Sequence, residues 1–317
     1  MTFEIEMTDG VKKEIDSIIS YSWSADIGAA CDGLRLYFLN NDWDYTADAY
    51  RIRIYDGDDC VFFGYVDTEK NTFEADGVVC FIYARSSACL LVDNEAKPVT
   101  LISPTSTQLF ETFAKDFGFL NGLEETEGGS VYMIQKGTSC FGAVNDFMSD
   151  VNGAGVYVDS SNTLRTYKSG GEFNIPDETV ISASVITERG EPISELFYKT
   201  ESGEPYLHCI FSEYLSGENM SRRRYFNASA YPTGQREKVL RQKLYSLSEG
   251  YRRLELTVEG AVTAPLYSCF SATDGQDERF NGYILFQRVI EGSEKGETTK
   301  LVLKKDIDLQ EVMYVAE

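Results

Sequence analysis

Hydrophobic and polar positions alternate near both ends of the chain, whereas the middle has helical spacing. Residues 1–97 contain alternating segments and short apolar runs, which are typical of β-strands. These segments are LRLYFL (34–39), YRIRIYDGDDCVFFGYV (50–66) and GVVCFIYA (77–84). Asp56 and Gly57 supply the residues that a tight hairpin turn requires. We therefore predict a first β region over residues 1–97, which ends with a short helical turn at 86–94, before Pro98.

Residues 98–170 have the apolar spacing of helices. We expect a first helix with Ser103 as its N-cap, Pro104 at its first helical position and Gly118 at its end. A strand, a second helix and a hairpin are then expected in VYMIQKG (131–137), TSCFGAVNDFMSDVNG (138–153) and GVYVDSSNTLRTYKS (155–169). The apolar faces of the two helices contain Leu109, Phe110, Phe113, Phe117, Phe141, Val144, Met148 and Val151. This order predicts an inserted α/β module.

Strand patterns return in residues 171–317. One helix is expected at about 234–249, with Leu240, Leu244 and Leu247 on one face. The strand-like segments after it are YRRLELTVEG (251–260), APLYSCFSA (264–272), NGYILFQRVI (281–290) and TTKLVLKK (298–305). The pattern in 171–232 shows no clear boundary between elements. The predicted fold class is therefore mainly β with an inserted α/β module, in three parts at 1–97, 98–170 and 171–317.

The net charge limits which partners the chain is expected to bind. The 317 residues include 51 Asp and Glu against 29 Lys and Arg, which gives a formal net charge of −22, while 43% of the residues are apolar. A surface this negative repels phosphate backbones and anionic membrane surfaces. We therefore expect neither nucleic-acid binding by charge neutralisation nor insertion into a membrane.

The cysteines indicate the cellular compartment. There are seven, an odd number without a CxxC pair, at positions Cys31, Cys60, Cys80, Cys89, Cys140, Cys209 and Cys269. Several lie within apolar segments that are predicted to be strands, where a free cysteine behaves as a small hydrophobic residue. MTFEIEMTDG at the N-terminus lacks the features of a signal peptide. We expect a protein that is made and folded in a reducing cytoplasm.

Candidate chemistry is sparse. The single histidine, His208, lies in YLHCIF without a nucleophile elbow, so a strand histidine satisfied by a neighbour is favoured over a catalytic triad. YDGDDC (55–60) and TDGQDE (273–278) lack the ligand spacing of an EF-hand, and turn chemistry explains both. Scattered cysteines do not favour zinc, and no phosphate-binding loop is present. We expect no catalytic, metal or cofactor site, although hydrolysis by a carboxylate pair stays open because 51 acids offer many pairs.

A basic run stands out in this acidic chain. Arg222, Arg223 and Arg224 are consecutive in SRRRYF. The run is expected to be a solvated loop or a contact with an acidic partner surface, such as a neighbouring subunit.

Two hairpin-like segments resemble each other. Gly64, Tyr65 and Val66 open a segment that passes through an acidic turn to Asp76-Gly77, and Gly282-Tyr283-Ile284 opens a segment that turns at Lys295-Gly296. Identities between them are few. Duplication of a β unit and coincidence of two ordinary hairpins are both open on these residues alone.

Four ordered stretches resemble the baseplate hub proteins of phage tails, including the late-control-D-like hubs of contractile tails. They span roughly 50–310, with a looser match at about 171–232. The stretches are YRIRIYDGDDCVFFGYVDTEKNTFEADG with CFIYARSSACLLVDNEAKP, SPTSTQLFETFAKDFGF, KGTSCFGAVNDFMSDVNGAGVYVDSSNTLRTYK and REKVLRQKLYSLSEGYRRLELTVEG. The order of the four carries the resemblance more than any one motif.

The resemblance implies a fold and an assembly. It implies two related β-barrel, tail-tube-like domains, at 1–97 and 171–317, that form a pseudo-hexameric ring as a homotrimer. Such a ring adapts the sixfold tail tube to the threefold spike and leaves a central channel. The implied partners are further copies of the chain, the tail tube, spike and tape-measure proteins, and other baseplate proteins. The protein would assemble in the host bacterial cytoplasm and then lie in the virion baseplate, without enzymatic activity.

The resemblance also favours the interpretation that the β unit is duplicated. It further suggests a role for the negative net charge. Acidic residues that line the channel would let DNA slide without sticking, and the alternative is that they only keep the free subunit soluble. Because the chain stops at Glu317, a contractile tail, defective prophage or bacteriocin-like particle is expected rather than a tail-associated lysin. A cell-wall polysaccharide hydrolase and a glycan- or receptor-binding tail module are the competing functions.

Overall fold

A computed structural model gives the architecture of the chain. It describes residues 1–40, 48–75, 77–129, 131–167, 171–231, 233–271, 282–306 and 309–313. Strands dominate, as the alternating pattern predicts, so the mainly β prediction is confirmed. The longer helices lie where helical spacing was found, whereas a short helix at Glu213–Gly217 was not predicted.

The first β region contains a series of antiparallel strands and one turn of helix. Its elements are β1 (Thr2–Met7), β2 (Lys12–Glu14), β3 (Ile18–Asp26), β4 (Gly33–Leu39), β5 (Ala49–Asp56), β6 (Asp59–Glu74), β7 (Gly77–Ser86) and α1 (Cys89–Val92). The tight turn between β5 and β6 contains Gly57 at φ 59°, in the left-handed region that glycine adopts without a Cβ clash. The predicted hairpin and the short helix before Pro98 are confirmed.

The middle of the chain alternates strands and helices. Its elements are β8 (Val99–Ile102), α2 (Ser106–Phe113), a 3-10 turn (Lys115–Phe117), β9 (Leu120–Gly122), β10 (Val131–Ile134), α3 (Cys140–Asn152), β11 (Val156–Val158) and β12 (Thr163–Thr166). The predicted start of the first helix is wrong. Thr105 is the N-cap and accepts a hydrogen bond from Gln108 N at 3.2 Å, whereas Ser103 has φ 45°. The carbonyl of Pro104 accepts from Gly128 N at 2.7 Å, so this proline precedes the helix instead of opening it.

The last part holds the remaining strands and two helices. Its elements are β13 (Glu172–Phe173), a 3-10 turn (Asp177–Thr179), β14 (Val180–Thr187), β15 (Glu195–Lys199), β16 (His208–Ser212), α4 (Glu213–Gly217), β17 (Arg223–Asn227), a 3-10 turn (Ala228–Ala230), α5 (Thr233–Ser248), β18 (Arg252–Glu259), β19 (Cys269–Phe270), β20 (Tyr283–Ser293), β21 (Gly296–Lys305) and β22 (Leu309–Met313). The predicted helix is confirmed, with Leu240 and Leu244 buried. So is the alternation in β18, where Leu254, Leu256 and Val258 are buried.

One sheet connects both ends of the chain. Within the described residues it has 13 strands, with the main order β14-β18-β21-β20-β3-β4-β7-β6-β5-β1-β2. The antiparallel pairing of β3 with β20 joins the strands of the N-terminal part to those of the C-terminal part. The strands that the sequence places in two separate β regions are therefore hydrogen-bonded into one continuous surface.

Smaller sheets complete the structure in the described part of the chain. They are β10-β8, β11-β12-β9 and β17-β15-β16-β22. Three strands of the last sheet lie in the stretch from 171 to 232, where the sequence pattern shows no clear boundary. The helix α5 packs on this sheet through Leu240 and Leu244. In the α/β module, α2 and α3 bury their apolar faces in a common core, which includes Leu109, Val144 and Met148. The module thus has its own core beside the main sheet.

Candidate functional site

The seam between β3 and β20 is the point at which the two ends of the chain meet. Tyr21 on β3 lies opposite Gly292 on β20, and a Cβ on Gly292 would collide with the Tyr21 ring. The absence of a side chain lets this ring lie flat against the neighbouring strand. The Tyr21 hydroxyl then donates a hydrogen bond of 2.5 Å to Glu297. Burial and this carboxylate raise the pKa of Tyr21, so the phenol stays protonated at neutral pH.

A buried arginine lies next to this seam. Arg288 on β20 is 5% exposed, and its guanidinium carbon is 4.3 Å from the centroid of the Trp23 ring on β3. Its Nη1 donates to the carbonyl of Ala264 at 2.7 Å. Burial lowers the pKa of Arg288 to about 10, which still leaves it charged at neutral pH. Burial raises the pKa of the nearby Asp32 carboxyl, against the opposing effect of Arg288, and Trp23 Nε1 lies 3.4 Å from that carboxyl.

A cavity of about 280 Å³ opens beside Asp32 and Arg288. All three parts of the chain line it: Asp32 and Phe62 from the N-terminal strands, Tyr157 and Tyr167 from the α/β module, and Arg288 from β20. The Nε of Arg288 is buried without a hydrogen-bond partner among the described residues. The cavity therefore brings the Asp32 carboxyl and the Arg288 guanidinium together among mostly apolar lining residues, at the junction of the three parts.

Direct contacts hold the module at this junction. Ser160 Oγ donates to the carbonyl of Cys60 at 2.6 Å. The Tyr167 ring stacks on Tyr157, with centroids 4.8 Å apart, and also contacts the Tyr267 ring at 5.3 Å. Through Ser160 and Tyr167 the module thus contacts β6 from the N-terminal part and the turn that contains Tyr267 from the C-terminal part.

The exposed face of the main sheet carries ion pairs instead of an acidic field. Arg51 pairs with Glu6 at 3.0 Å, and Arg53 pairs with Glu4 at 3.2 Å and with Glu6 at 3.1 Å. Burial alone would raise the pKa of Glu6, but the two guanidinium groups outweigh it and lower that pKa. Farther along the sheet, Arg85 pairs with Asp67 at 2.5 Å and Asp93 at 2.6 Å, and Lys300 pairs with Glu291 at 2.8 Å. Basic and acidic groups are interspersed across this face.

The single histidine has the structural environment that the sequence favoured. His208 pairs with Tyr198 across β15 and β16, and the two rings stack with centroids 5.2 Å apart. It lies on the small sheet and is not among the residues that line the junction cavity.

The basic run lies at the edge of the small sheet. Arg223 and Arg224 are exposed on β17, and Arg223 pairs with Glu195 at 3.4 Å and lies over the Phe197 ring at 5.4 Å. Arg222 donates to the carbonyl of Gly190. Arg224 Nη1 donates to the carbonyl of Arg223 at 3.4 Å. All three arginines thus have a contact within the chain, and contact of the run with an acidic partner stays a prediction.

The cysteines are free thiols, consistent with the reading of the sequence. Cys80, Cys89, Cys140 and Cys209 are buried, and Cys31, Cys60 and Cys269 are partly buried. Burial raises the pKa of the Cys80 thiol to about 12 and those of Cys89 and Cys209 to about 11. Such thiols are protonated and weakly nucleophilic at neutral pH.

The described residues contain neither a cluster of metal-ligating side chains nor a helix that could span a membrane. In that part of the chain no group of three or more His, Cys, Asp or Glu side chains is placed to hold a metal ion. None of the helices described is long and apolar enough to cross a membrane. YDGDDC forms the β5–β6 turn, whereas TDGQDE lies outside the described residues.

The two similar segments both form long antiparallel hairpins, β6–β7 and β20–β21. Glu74 pairs with Gly77 at one tip and Ser293 with Gly296 at the other, and each hairpin has a bulge soon after the Gly-Tyr pair, at Val66/Thr68 and at Leu285/Gln287. The glycines themselves differ. A Cβ on Gly64 would lie 2.7 Å from the Phe62 ring and collide with the Arg85 carbonyl, whereas Gly282 has φ 73°. The hairpins are thus alike in pairing, while their first glycines meet different steric demands.

The fold defined by these sheets and the α/β module is similar to that of solved phage tail proteins. No protein-family model and no curated protein matches the chain, but solved structures do. A 43 kDa tail protein of prophage MuSo2 from Shewanella oneidensis has a TM-score of 0.72 at 14% identity, with 97% of this chain and 99% of that chain covered. The tail protein from Neisseria meningitidis MC58 has a TM-score of 0.70 at 14% identity, with 96% of both chains covered.

A secretion-system protein shares the fold as well. The E. coli c3393 protein, a component of the type VI secretion system that exhibits structural similarity to the T4 bacteriophage tail proteins gp27 and gp5, has a TM-score of 0.60 at 9% identity, with 92% of this chain and 74% of that chain covered. The resemblance to tail hub proteins found in the sequence is thus confirmed at the level of the fold. At these identities the likeness is one of architecture.

Proposed function

We propose that the chain is a structural baseplate hub of a phage tail or a phage-tail-like particle. The observation that carries the proposal is that the tail-protein fold extends over nearly the whole chain. The alignments with the MuSo2 prophage tail protein and with the N. meningitidis tail protein each cover 96% or more of both chains. The continuous sheet through β3 and β20 supports it, because this sheet gives one rigid surface with strands from both ends of the chain.

The proposed assembly is a homotrimeric ring. In it the β regions of 1–97 and 171–317 act as two related, tail-tube-like units, so that three chains present six units to a sixfold tail tube and three to a threefold spike. The matching tips and bulges of the β6–β7 and β20–β21 hairpins support this relation. Superposition of residues 64–84 on 282–303 is the direct test of the duplication. The proposed partners are the tube, spike and tape-measure proteins and other baseplate proteins.

The channel of such a ring has a specific electrostatic consequence. If the exposed face of the main sheet lines the channel, DNA in the channel meets the ion pairs Arg51–Glu6 and Lys300–Glu291. Interspersed charges of both signs give a weak net field. On that arrangement the acidic excess of the chain serves solubility before assembly more than passage of DNA.

The test of the proposal is the assembly state of the purified full chain. Sedimentation velocity over a range of concentrations should give a trimer, and negative-stain images should show threefold rings with a central hole. A monomer at every concentration would contradict the ring. We propose no enzymatic activity, and clearing of a peptidoglycan gel by the pure protein would contradict that part. In the cell we expect the protein first in the host cytoplasm and then in the tail baseplate.

A further inference from the structure

One end of the main sheet is an open strand. β14 pairs with β18 along its whole length, from Val180 opposite Val258 to Thr187 opposite Arg252. Among the described residues, its other edge faces no strand. The backbone N–H and C=O groups on that side are available for pairing with a further strand.

The apolar layer beneath the sheet reaches only the start of β14, where Val180 packs against the core. Ala183 lies opposite Leu256 and Val185 opposite Leu254, so these side chains share the core face of the sheet. Leu254 is 0% exposed and Leu256 is 6% exposed, whereas Val185 is 49% exposed. Beyond Val180, the core face therefore continues onto the edge strand at Ala183 and Val185, where no layer formed by the described residues covers it.

The sequence of β14 lacks the charged residues and prolines that commonly protect a free edge, and its one protective feature is the bulge at its start. VISASVIT contains no charged residue and no proline, although 25% of the chain is charged. Natural edge strands are commonly blunted by lysine, proline or short length. The other end of the same sheet shows this protection, because β2 has three residues, Lys12–Glu14, and all of them are charged. An exposed, uncharged strand of eight residues is typical of a protein interaction site.

We propose that β14 docks a second copy of this chain, which adds a strand to its edge and covers the core face at Ala183 and Val185. The inference rests on the proposed ring and names the surface that closes it. Two copies with a net charge of −22 each repel one another over most of their surfaces, so a contact between them is favoured where charge is missing. The contact is heterologous, as a closed ring of three requires.

The space beside the edge fits this docking. Ile181, at the bulge of β14, is 60% exposed and borders an open cleft of about 720 Å³ together with Met1 and the tip of the β20–β21 hairpin. Side chains of the second copy have room to enter there. The cleft is also lined by Glu259, Glu291, Glu297 and Lys295. The uncharged docking surface therefore consists of the β14 edge and its uncovered core face, with this charged cleft at its border.

Two exposed apolar side chains on β14 allow a sharp test in the full chain. The variant Ile181→Glu/Val185→Glu places two charges on the docking surface. The matched control is Ile102→Glu/Met133→Glu, which alters two apolar side chains that are 70% and 63% exposed on the β8–β10 sheet and changes the net charge equally. Burial of uncompensated, like charges at an interface is unfavourable, so we expect the dissociation constant of the trimer to rise on the order of 100-fold for the β14 variant. The control should assemble as the wild type does.

The outcomes separate the two proposals. If the wild type and both variants form trimers with equal affinity, the role of β14 is overturned while the ring stands. If the wild type itself is monomeric, the ring is contradicted and the docking with it. Circular dichroism and thermal unfolding establish that each variant is folded, which is expected because the altered side chains are exposed.

Hydrogen exchange on the wild type gives a readout that needs no variant. Amides of residues 180–187 should exchange more slowly in the assembled protein than in the diluted monomer, because new strand pairing protects the outer edge. Equal exchange of these amides in the two states would overturn the inference.

Discussion

The guanidinium of Arg288 lies over the indole ring of Trp23, with 4.3 Å between the guanidinium carbon and the ring centroid. The two residues belong to β20 and β3, so this cation–π contact spans the seam between the C-terminal and N-terminal strands. A charge in such a place is stable only while its partners stay in position. The contact is therefore a sensitive reporter of the seam.

Replacement of Arg288 by methionine should destabilise the protein strongly. The Arg288→Met side chain keeps the length but leaves the Ala264 carbonyl without its donor and Asp32 without a compensating charge. We expect a loss of about 3 kcal/mol in the free energy of unfolding. Urea unfolding at pH 7 measures it. Arg253→Met is the control, since that side chain is 40% exposed on the same sheet and should change stability little; equal effects in the two variants would contradict the buried role.

Gly64 and Gly292 should not tolerate a methyl group. In Gly64→Ala the new Cβ would collide with the Arg85 carbonyl, and in Gly292→Ala it would collide with the Tyr21 ring. Overpacking of this kind costs about 2 kcal/mol. Thermal unfolding of both variants is compared with that of Gly250→Ala, where no atom lies within 4 Å of the added Cβ. A melting temperature of Gly292→Ala equal to that of the control would show that the close approach at the seam is not required.

The Glu6→Gln substitution should destabilise the protein at neutral pH but not in acid. Arg51 and Arg53 lower the pKa of Glu6 below its usual value of 4.5, against the effect of burial. A carboxylate whose folded pKa is lowered stabilises the protein above the unfolded pKa and loses that contribution as the pH falls through the folded pKa. We expect Glu6→Gln to cost about 1 kcal/mol at pH 7 and progressively less below pH 4.5. Urea unfolding at a series of pH values tests this, and a difference that stays constant from pH 7 to pH 3 would contradict the ion pairs.

The buried thiols should be silent in the folded protein. At pH 8 we expect Cys80, Cys89 and Cys209 to react with a thiol reagent only as fast as the protein unfolds, because burial both shields them and raises their pKa. In guanidinium chloride all seven cysteines should react at once. Rapid labelling of Cys80 in the native protein, identified by mass spectrometry, would contradict its position in the core.

The sequence predicts those elements whose signals are local. The helix α3 is predicted by the spacing of Phe141, Val144, Met148 and Val151, all buried in its core, and Ser139 caps it by accepting from Gly142 N at 3.0 Å. The start of α2 was misplaced because Ser103 and Thr105 are both good caps on either side of Pro104. Which of them acts as the cap depends on the contact of Pro104 with Gly128, which is distant in sequence.

The buried arginine could not be predicted in the same way. Strict alternation from Leu285 would point Gln287 inward and Arg288 to solvent. The bulge between Leu285 and Gln287 inserts one residue, shifts the alternation and turns Arg288 and Gly292 toward the core. The β3–β20 pairing is equally hidden, because strands that meet from opposite ends of a chain leave no local periodic signal.

That pairing also constrains how the chain reaches its native state. β3 ends at Asp26, whereas its partner β20 begins only at Tyr283. During translation one edge of β3 therefore stays unpaired until β20 has emerged. Contacts of such high sequence separation slow folding and leave a nascent chain open to mispairing. We expect the ribosome-bound N-terminal strands to depend on chaperones or on rapid translation, so that completion of the last hairpin sets the pace at which competent subunits appear.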